Sequence, residues 1–259
     1  MCPGTAPPVK ISATLITLNE EKNLPRALDS LRCCDEVVVV DSGSQDRTRE
    51  ITEEFGAKFL HRDWTGYADQ KNFAAQSASH DWILSLDADE ALSDELRDEI
   101  IEVQKSEPAV AGFRFPRRAR YLGKWIHHSG WYPDRKIRLY DRRKARWTGD
   151  YVHESVVTTE PVAELRGDLL HYTCDSFSQH LATLDRYTGL AANEMIARGK
   201  KAGLGRLILD PPWTFFKTYL IQRGFLDGRQ GLIISYAAAL YVFKKYAKAR
   251  SIRARAVGL

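Results

Sequence analysis

The chain has 259 residues, of which 44% are apolar and 28% charged, with a formal net charge of +4. That is enough for one α/β domain with a substantial core plus a smaller appendage, and it excludes wholesale disorder and a multi-span membrane protein. The four cysteines, Cys2, Cys33, Cys34 and Cys174, form no C-x-x-C pair, so neither a zinc site nor a disulfide framework is expected and a reducing compartment fits.

The opening MCPGTAPPVK lacks the charged start and apolar run of a signal peptide, which points to a cytoplasmic protein. From there short apolar runs alternate with amphipathic stretches, the pattern of a mostly parallel sheet with crossover helices. Val9 to Leu18 reads as a buried strand, Asn23 to Leu31 as a helix and Val37 to Val40 as a second strand, with a helix after Asp46. Lys58 to His61 is a third, weaker strand; a helix over Tyr67 to Ser77 leads into the apolar strand Trp82 to Leu86. Ser93 caps a helix running to Lys105, with Asp94 and Glu95 where they suit the helix dipole. From Gly112 the pattern turns to short, more antiparallel strands: Gly112 to Pro116, Lys136 to Tyr140, Arg146 to Thr148, Val152 to Val157 and a hairpin around Arg166-Gly167-Asp168. Helices return with Ser176 to Arg198, a helix opened by Asp210-Pro211 and running through Phe225, a break at Gly224 to Gly228, and Gln230 to Lys248. The expected division is a catalytic domain over 8–175, split into halves 8–110 and 111–175, and a helical region over 176–259.

Two strand ends carry carboxylates, Asp41 and Asp87, and both emerge at the carboxyl edge of the sheet, where open α/β sheets bind ligands. Asp87-Ala88-Asp89 can aim two carboxylates into one cleft and hold Mg²⁺ or Mn²⁺ together with substrate phosphates; elsewhere in a chain the same tripeptide would be a solvated turn. Thr17 to Glu21 follows the first strand and Asp41-Ser42-Gly43-Ser44-Gln45-Asp46 the second. Asp41 can accept hydrogen bonds from a base or ribose, Gly43 permits a tight turn, and Ser44 or Asp46 caps the next helix. For Asp46 the turn role is preferred.

The ordered segments T-L-N-E, V-V-V-V-D-S-G-S-Q-D, Q-K-N-F-A-A and S-L-D-A-D-E resemble the inverting family 2 glycosyltransferases of the GT-A fold, across residues 10–90. Tyr121 to Tyr140, Trp147 to Glu154 and Gly224 to Gly228 extend the likeness to the WaaE/KdtX-type branch of lipopolysaccharide core β-glucosyltransferases. The resemblance implies that Thr17, Leu18, Asn19, Glu20 and Asp41 hold the uridine side of a nucleotide-sugar donor and that Lys71 meets base or phosphate. Asp87 and Asp89 then hold the sugar and the metal-bound diphosphate. Many relatives have two acids where this chain has Asp41-Ser42, which leaves uridine or guanosine open.

Inverting transfer needs one base near the acceptor hydroxyl and no covalent nucleophile. The resemblance implies that this base sits at His153-Glu154, after Trp147-Thr-Gly149, which makes Glu154 the first candidate and Asp134 the second, with a salt bridge to a nearby arginine as the bland role of Glu154. His153 is a candidate metal or phosphate contact or a structural hydrogen bonder, and Arg138 a candidate for the donor phosphates. Trp125, Trp131, Tyr132, His127 and His128 suit sugar stacking or core packing, with Arg117, Arg118, Arg120, Lys124 and Arg135 nearby to grip acceptor anions. The Trp213 to Ile221 and Leu232 to Phe243 tracts, with Lys244, Lys245, Lys248 and Arg250, are too short to span a bilayer but suit an anionic membrane surface or packing on the catalytic domain.

The resulting expectation is a metal-dependent hexosyltransferase carrying glucose from UDP-glucose to a lipopolysaccharide inner-core acceptor, peripheral on the inner face of the cytoplasmic membrane, without nucleic acid as partner. Polyprenyl-linked or exopolysaccharide acceptors, a nucleotidyltransferase and a non-catalytic membrane-surface module are the alternatives. A nucleotidyltransferase usually carries a Gly-rich basic loop after its first strand, which Leu18-Asn19-Glu20 does not provide.

Overall fold

The computed structural model describes residues 7–149, 154–174, 176–200 and 203–256. The chain divides into two compact units, one running to Arg117 and resuming over Asp134–His171, the other comprising Arg118–Pro133 and the chain from Tyr172 onward. The sequence suggested a boundary at 175/176 and gave no sign that 118–133 would join the C-terminal helices.

The elements run β1 (Ile11–Thr17), α1 (Leu24–Ser30), β2 (Glu36–Asp41), α2 (Thr48–Phe55), β3 (Lys58–His61), α3 (Tyr67–Ser77), β4 (Trp82–Asp87), β5 (Glu90–Leu92) and α4 (Asp94–Gln104). There follow β6 (Gly112–Tyr121), β7 (Lys124–Trp125), β8 (Asp134–Asp141), β9 (Arg146–Thr148), β10 (Ser155–Val157), β11 (Val162–Glu164) and β12 (Leu169–Cys174). The helices α5 (Phe177–Ala197), α6 (Leu204–Phe216) and α7 (Arg229–Ala256) close the chain.

In the first unit β3, β2, β1 and β4 lie side by side in parallel, and β8 then runs antiparallel between β4 and β6. The strands ISATLIT and EVVVVD are buried along almost their whole length, as strands covered on both faces are. Alternate residues serve different cores, as the two-residue period of a strand requires. Val37, Val39, Leu84 and Leu86 pack with Leu24, Leu28, Leu96 and Ile100 on one face, while Val38, Val40 and Ile83 pack with Ala74, Ala75 and Trp147 on the other. Ser93 caps α4 as expected, its Oγ accepting from Leu96 N at 3.2 Å.

Two expectations are corrected. The residues around Gly167 do not join a hairpin: β11 pairs in parallel with β6, and β12 pairs antiparallel with β5. Gly167 instead lies against the first turn of α4, where a Cβ would come within 2.2 Å of Leu96 N. Asp210-Pro211 does not open a helix either. Pro211 and Pro212 sit inside α6, which begins at Leu204, and the Asp210 carboxylate accepts from Tyr246 OH at 2.8 Å rather than capping. Without their N–H groups the two prolines cannot complete the α-helical ladder; the chain continues as a π-helical turn over Lys217–Ile221 and a 3₁₀ turn over Gly224–Asp227. The last helix runs eight residues beyond the expected Lys248, to Ala256.

The second unit has one especially close backbone contact. A Cβ on Gly231 would lie 1.8 Å from Gly224 O, and one on Gly224 would lie 2.8 Å from Thr218 O. Gly231→Ala must push these turns apart and is expected to cost about 3 kcal/mol, read as a lowered melting temperature by calorimetry; an unchanged midpoint would contradict the packing.

Candidate active site

The loops after β1 and β2 are fastened to each other by backbone-to-side-chain bonds. Asn19 N donates to Ser44 Oγ (2.7 Å), Gln45 N to Asn19 Oδ1 (2.8 Å), Glu20 N to Thr48 Oγ1 (2.9 Å) and Glu21 N to Asp46 Oδ2 (3.0 Å). Asn19 holds a left-handed φ of 57°, a conformation Asn tolerates well. Asp46 also accepts from Thr48 N, so it has the turn role. The Asp41 carboxylate is buried and accepts from Thr17 Oγ1 (2.8 Å), Gly43 N (2.9 Å), Ser44 N (2.8 Å) and Ser44 Oγ (2.5 Å). Leu18 is exposed at the edge of these loops.

The Q-K-N segment of α3 links three elements. Gln70 donates to Ser42 Oγ and Arg62 O, and Asn72 makes a two-way pair with the backbone of Trp147. Lys71, 2% exposed, places Nζ 2.8 Å from Asp87 Oδ1, 3.5 Å from Glu154 Oε1 and 4.3 Å from the Trp147 ring centre. Arg138 Nη2 donates to Asp87 Oδ2 and Glu90 Oε1, both at 3.0 Å. Burial works against the Asp87 charge, but Lys71 and Arg138 outweigh it and hold its carboxyl far below the usual carboxylate range. Arg138 Nε and Nη1 are buried without a hydrogen-bond partner among the described residues. Glu90, fully buried, accepts from Asp87 N (2.9 Å) and pairs with Arg117 (3.3 Å) as well as Arg138.

Asp89 follows in the β4–β5 turn, with His171 Nε2 from β12 at 3.2 Å from its Oδ2. Burial raises the Glu20 carboxyl; its bond from Asn23 works the other way, and Asp89, Asp46 and Asp87 add to the rise. Acids gathered at one edge with an imidazole suit a hard divalent cation, which needs only one or two protein ligands besides substrate phosphates. Among the described residues no group of three or more His, Cys, Asp and Glu is placed to hold a metal by itself.

Glu154 is 18% exposed, and its Oε2 is buried with no hydrogen-bond partner among the described residues. Asp134 is 35% exposed and bridged by Arg117 (3.1 Å) and Lys136 (3.0 Å). His153, expected as a metal or phosphate contact, lies outside the described residues. Several arginines between 114 and 143 are paired within the unit: Arg114 and Arg135 with Glu164, Arg142 with Asp81, Arg143 with Asp141. In the second unit Trp125 packs edge-on to Tyr172, Trp131 on Tyr121, and His127 on Tyr132, while His128 bonds Asp227.

Sequence reasoning missed Glu90 and His171, and it took Arg117 for an acceptor contact where the structure pairs it with Glu90 and Asp134. Only the charge of Glu90 beside the D-A-D tripeptide, within an apolar strand, offered a signal.

The low carboxyls have a consequence for acid stability. Asp87 is held down by Lys71 and Arg138, and Asp141, against its own burial, by Arg143. Each titrates lower folded than unfolded, so the unfolded chain takes up protons first; their contribution is present above about pH 5 and lost as pH falls through about 4 and below. Calorimetry between neutral and acid pH should show the melting temperature falling over that window, and a flat profile would contradict the pairing.

The glycosyl transferase family 2 model matches residues 12–164, which include the loops after β1 and β2, the β4–β5 turn and the Lys71–Asp87–Arg138 cluster. The mixed α/β sheet, with acids at the carboxyl edge of its parallel part, is of the GT-A type. The chain belongs to glycosyl transferase family 2. It is 35% identical to an uncharacterized glycosyltransferase of Rickettsia bellii over 94% of this chain and 87% of that one. It is 32% identical to the lipopolysaccharide core biosynthesis glycosyltransferase LpsC of Rhizobium meliloti, over 93% and 92% of the two chains. Among solved structures, S. aureus TarS 1-349 aligns over 94% of this chain and 91% of that one, with 16% identity and a TM-score of 0.49.

Proposed function

We propose that this glycosyltransferase moves a hexose with inversion, glucose from UDP-glucose first among the donors, onto an inner-core sugar of lipopolysaccharide at the cytoplasmic membrane face. The observation that carries the chemistry is Glu154: one oxygen shares Lys71 with Asp87, and the other is buried with no partner among the described residues, placed to take a proton. Glu154 removes the acceptor hydroxyl's proton as that oxygen attacks the anomeric carbon, and the nucleoside diphosphate departs on the opposite side. The spare Nε and Nη1 donors of Arg138 suit the departing phosphates, while Lys71 and Arg138 fix the direction of Asp87 toward the donor sugar.

Asp89 and His171 would hold Mg²⁺ or Mn²⁺, which supplies positive charge against the diphosphate. Thr17, Asn19 and Glu20 form the loop against the uridine; Asp41 serves the donor through the turn it ties, since its oxygens are already engaged. The acceptor assignment is supported by the likeness to LpsC over nearly its whole length. A membrane surface is supported by α6, where Leu204, Ile208, Trp213 and Phe216 are exposed beside Arg206 and Lys217. Among the described residues no helix is long and apolar enough to cross a membrane.

The test is transfer of labelled sugar from UDP-glucose, UDP-galactose and GDP-mannose to purified lipopolysaccharide cores and to polyprenyl phosphate. β-Linked glucose on a core acceptor is the expected product. Product on polyprenyl phosphate alone would replace the acceptor, and no transfer from any donor would sink the reading.

A further inference from the structure

The second unit contains a cavity of about 470 Å³ that no step of the transfer uses. That volume falls in the range of small-molecule sites, ~300–1,000 Å³. Leu184 and Tyr187 of α5 form one wall, and Ile234, Ala238 and Tyr241 of α7 another. Tyr121 and Trp131, ring centres 5.4 Å apart, also line it and belong to one small hydrophobic cluster. Val242 lines it too and packs in a different cluster, with Ala192, Tyr246 and Ala249. The cavity therefore occupies a gap between two small cores. Packed interiors leave few such spaces, because lining atoms without neighbours lose their dispersion contacts.

The lining selects for an uncharged, apolar guest. Among the described residues that form it there is no Asp, Glu, Lys or Arg. Several of its polar groups are engaged internally: Thr214 Oγ1 donates to Asp210 O (2.7 Å), Thr173 Oγ1 to Arg120 O (3.2 Å), and Tyr121 OH lies 2.6 Å from His180 Nδ1. Burial pushes the His180 imidazole down, and burial together with Cys174 pushes the Tyr121 phenol up to about 12, so both are neutral at pH 7. The surface that lines it is mainly apolar, which favours an apolar guest. On the same two helices, outside the lining, Trp213, Phe216, Tyr236 and Leu240 are exposed, and the rings of Trp213 and Phe216 stack at 5.7 Å.

We propose that this cavity takes one hydrocarbon chain of a membrane lipid, an acyl or polyprenyl tail, entering past the exposed aromatic residues of α6. The inference deepens the proposed function and rests on its reading of a lipid-bearing partner, but it makes no use of the transfer chemistry.

Binding of a fluorescent C18 fatty acid and of polyprenyl phosphate to the full-length protein tests it, with Ala238→Phe and Thr183→Phe filling the cavity from facing helices and Ala182→Phe as an exposed control. Saturable binding to wild type is expected, with a melting temperature that rises with ligand, an at least tenfold loss of affinity in both filling variants and none in the control. The probe bound more tightly identifies the tail. In wild type, a diazirine-bearing fatty acid should cross-link to the peptides carrying Leu184 or Tyr241, which decides the matter even if a filling variant fails to fold. No saturable binding, undiminished binding by folded filling variants, or cross-links only elsewhere would overturn the proposal. Vesicle sedimentation and donor hydrolysis, measured on the same proteins, separate failure of the cavity from failure of the transferase reading.

Discussion

Glu154→Gln is expected to lower kcat at least about 100-fold while leaving donor affinity nearly unchanged, the range general-base removal produces. Gln keeps the size and one acceptor oxygen, so the bond from Lys71 can persist and the Asp87 cluster stays in place. Only the ability to take a proton is lost. Asp134→Asn should cost far less, because both oxygens of Asp134 already serve Arg117 and Lys136. Steady-state kinetics with saturating acceptor separates the two. Equal mild losses would remove Glu154 from its role, and a larger loss at Asp134 would transfer the role there.

Glu90→Ala should destabilise the protein by about 3–5 kcal/mol, the usual cost of removing one partner from a buried ion pair. Glu90 is 0% exposed and Arg138 is 4% exposed, so water cannot replace the lost carboxylate. Arg138 would be left with Asp87 alone, and Asp87 N would lose its acceptor. The expected observation is a large fall in the urea midpoint with little change in slope, accompanied by weakened donor binding as Asp87 loses its orientation. A change under about 1 kcal/mol would show that the two arginines do not depend on Glu90.

The part of the site at the strand ends was legible in the sequence because the sheet is parallel and buried on both faces. Apolar runs such as VVVVD and WILSLD announce where a strand stops, and the acid at the stop is the acid at the cleft. β3 and α3 fall where their residues place them, and the Q-K-N segment of α3 stood out even though its partners were invisible. What the sequence hid depends on distant pairing. His171 lies 82 positions from Asp89 and Arg138 lies 48 from Glu90, and neither spacing is a local pattern. The residues 118–133 fall inside the expected 111–175 half, yet they group with the C-terminal helices, where Asp227 accepts from His127 N and His128 N. In α6 the Asp-Pro pair imitates a helix start, and only the packing of Asp210 on Tyr246 reveals a helix interior.

The central claim is that Asp87-Ala88-Asp89 and its supports form a metal-assisted nucleotide-sugar site. Release of UDP from UDP-glucose, followed with Mg²⁺ or Mn²⁺ and after chelation, for wild type and Asp89→Ala, tests it most directly. Wild type should release UDP only with the divalent ion, and Asp89→Ala should lose that release while remaining folded. Metal-independent release, or undiminished release by Asp89→Ala, would contradict the account.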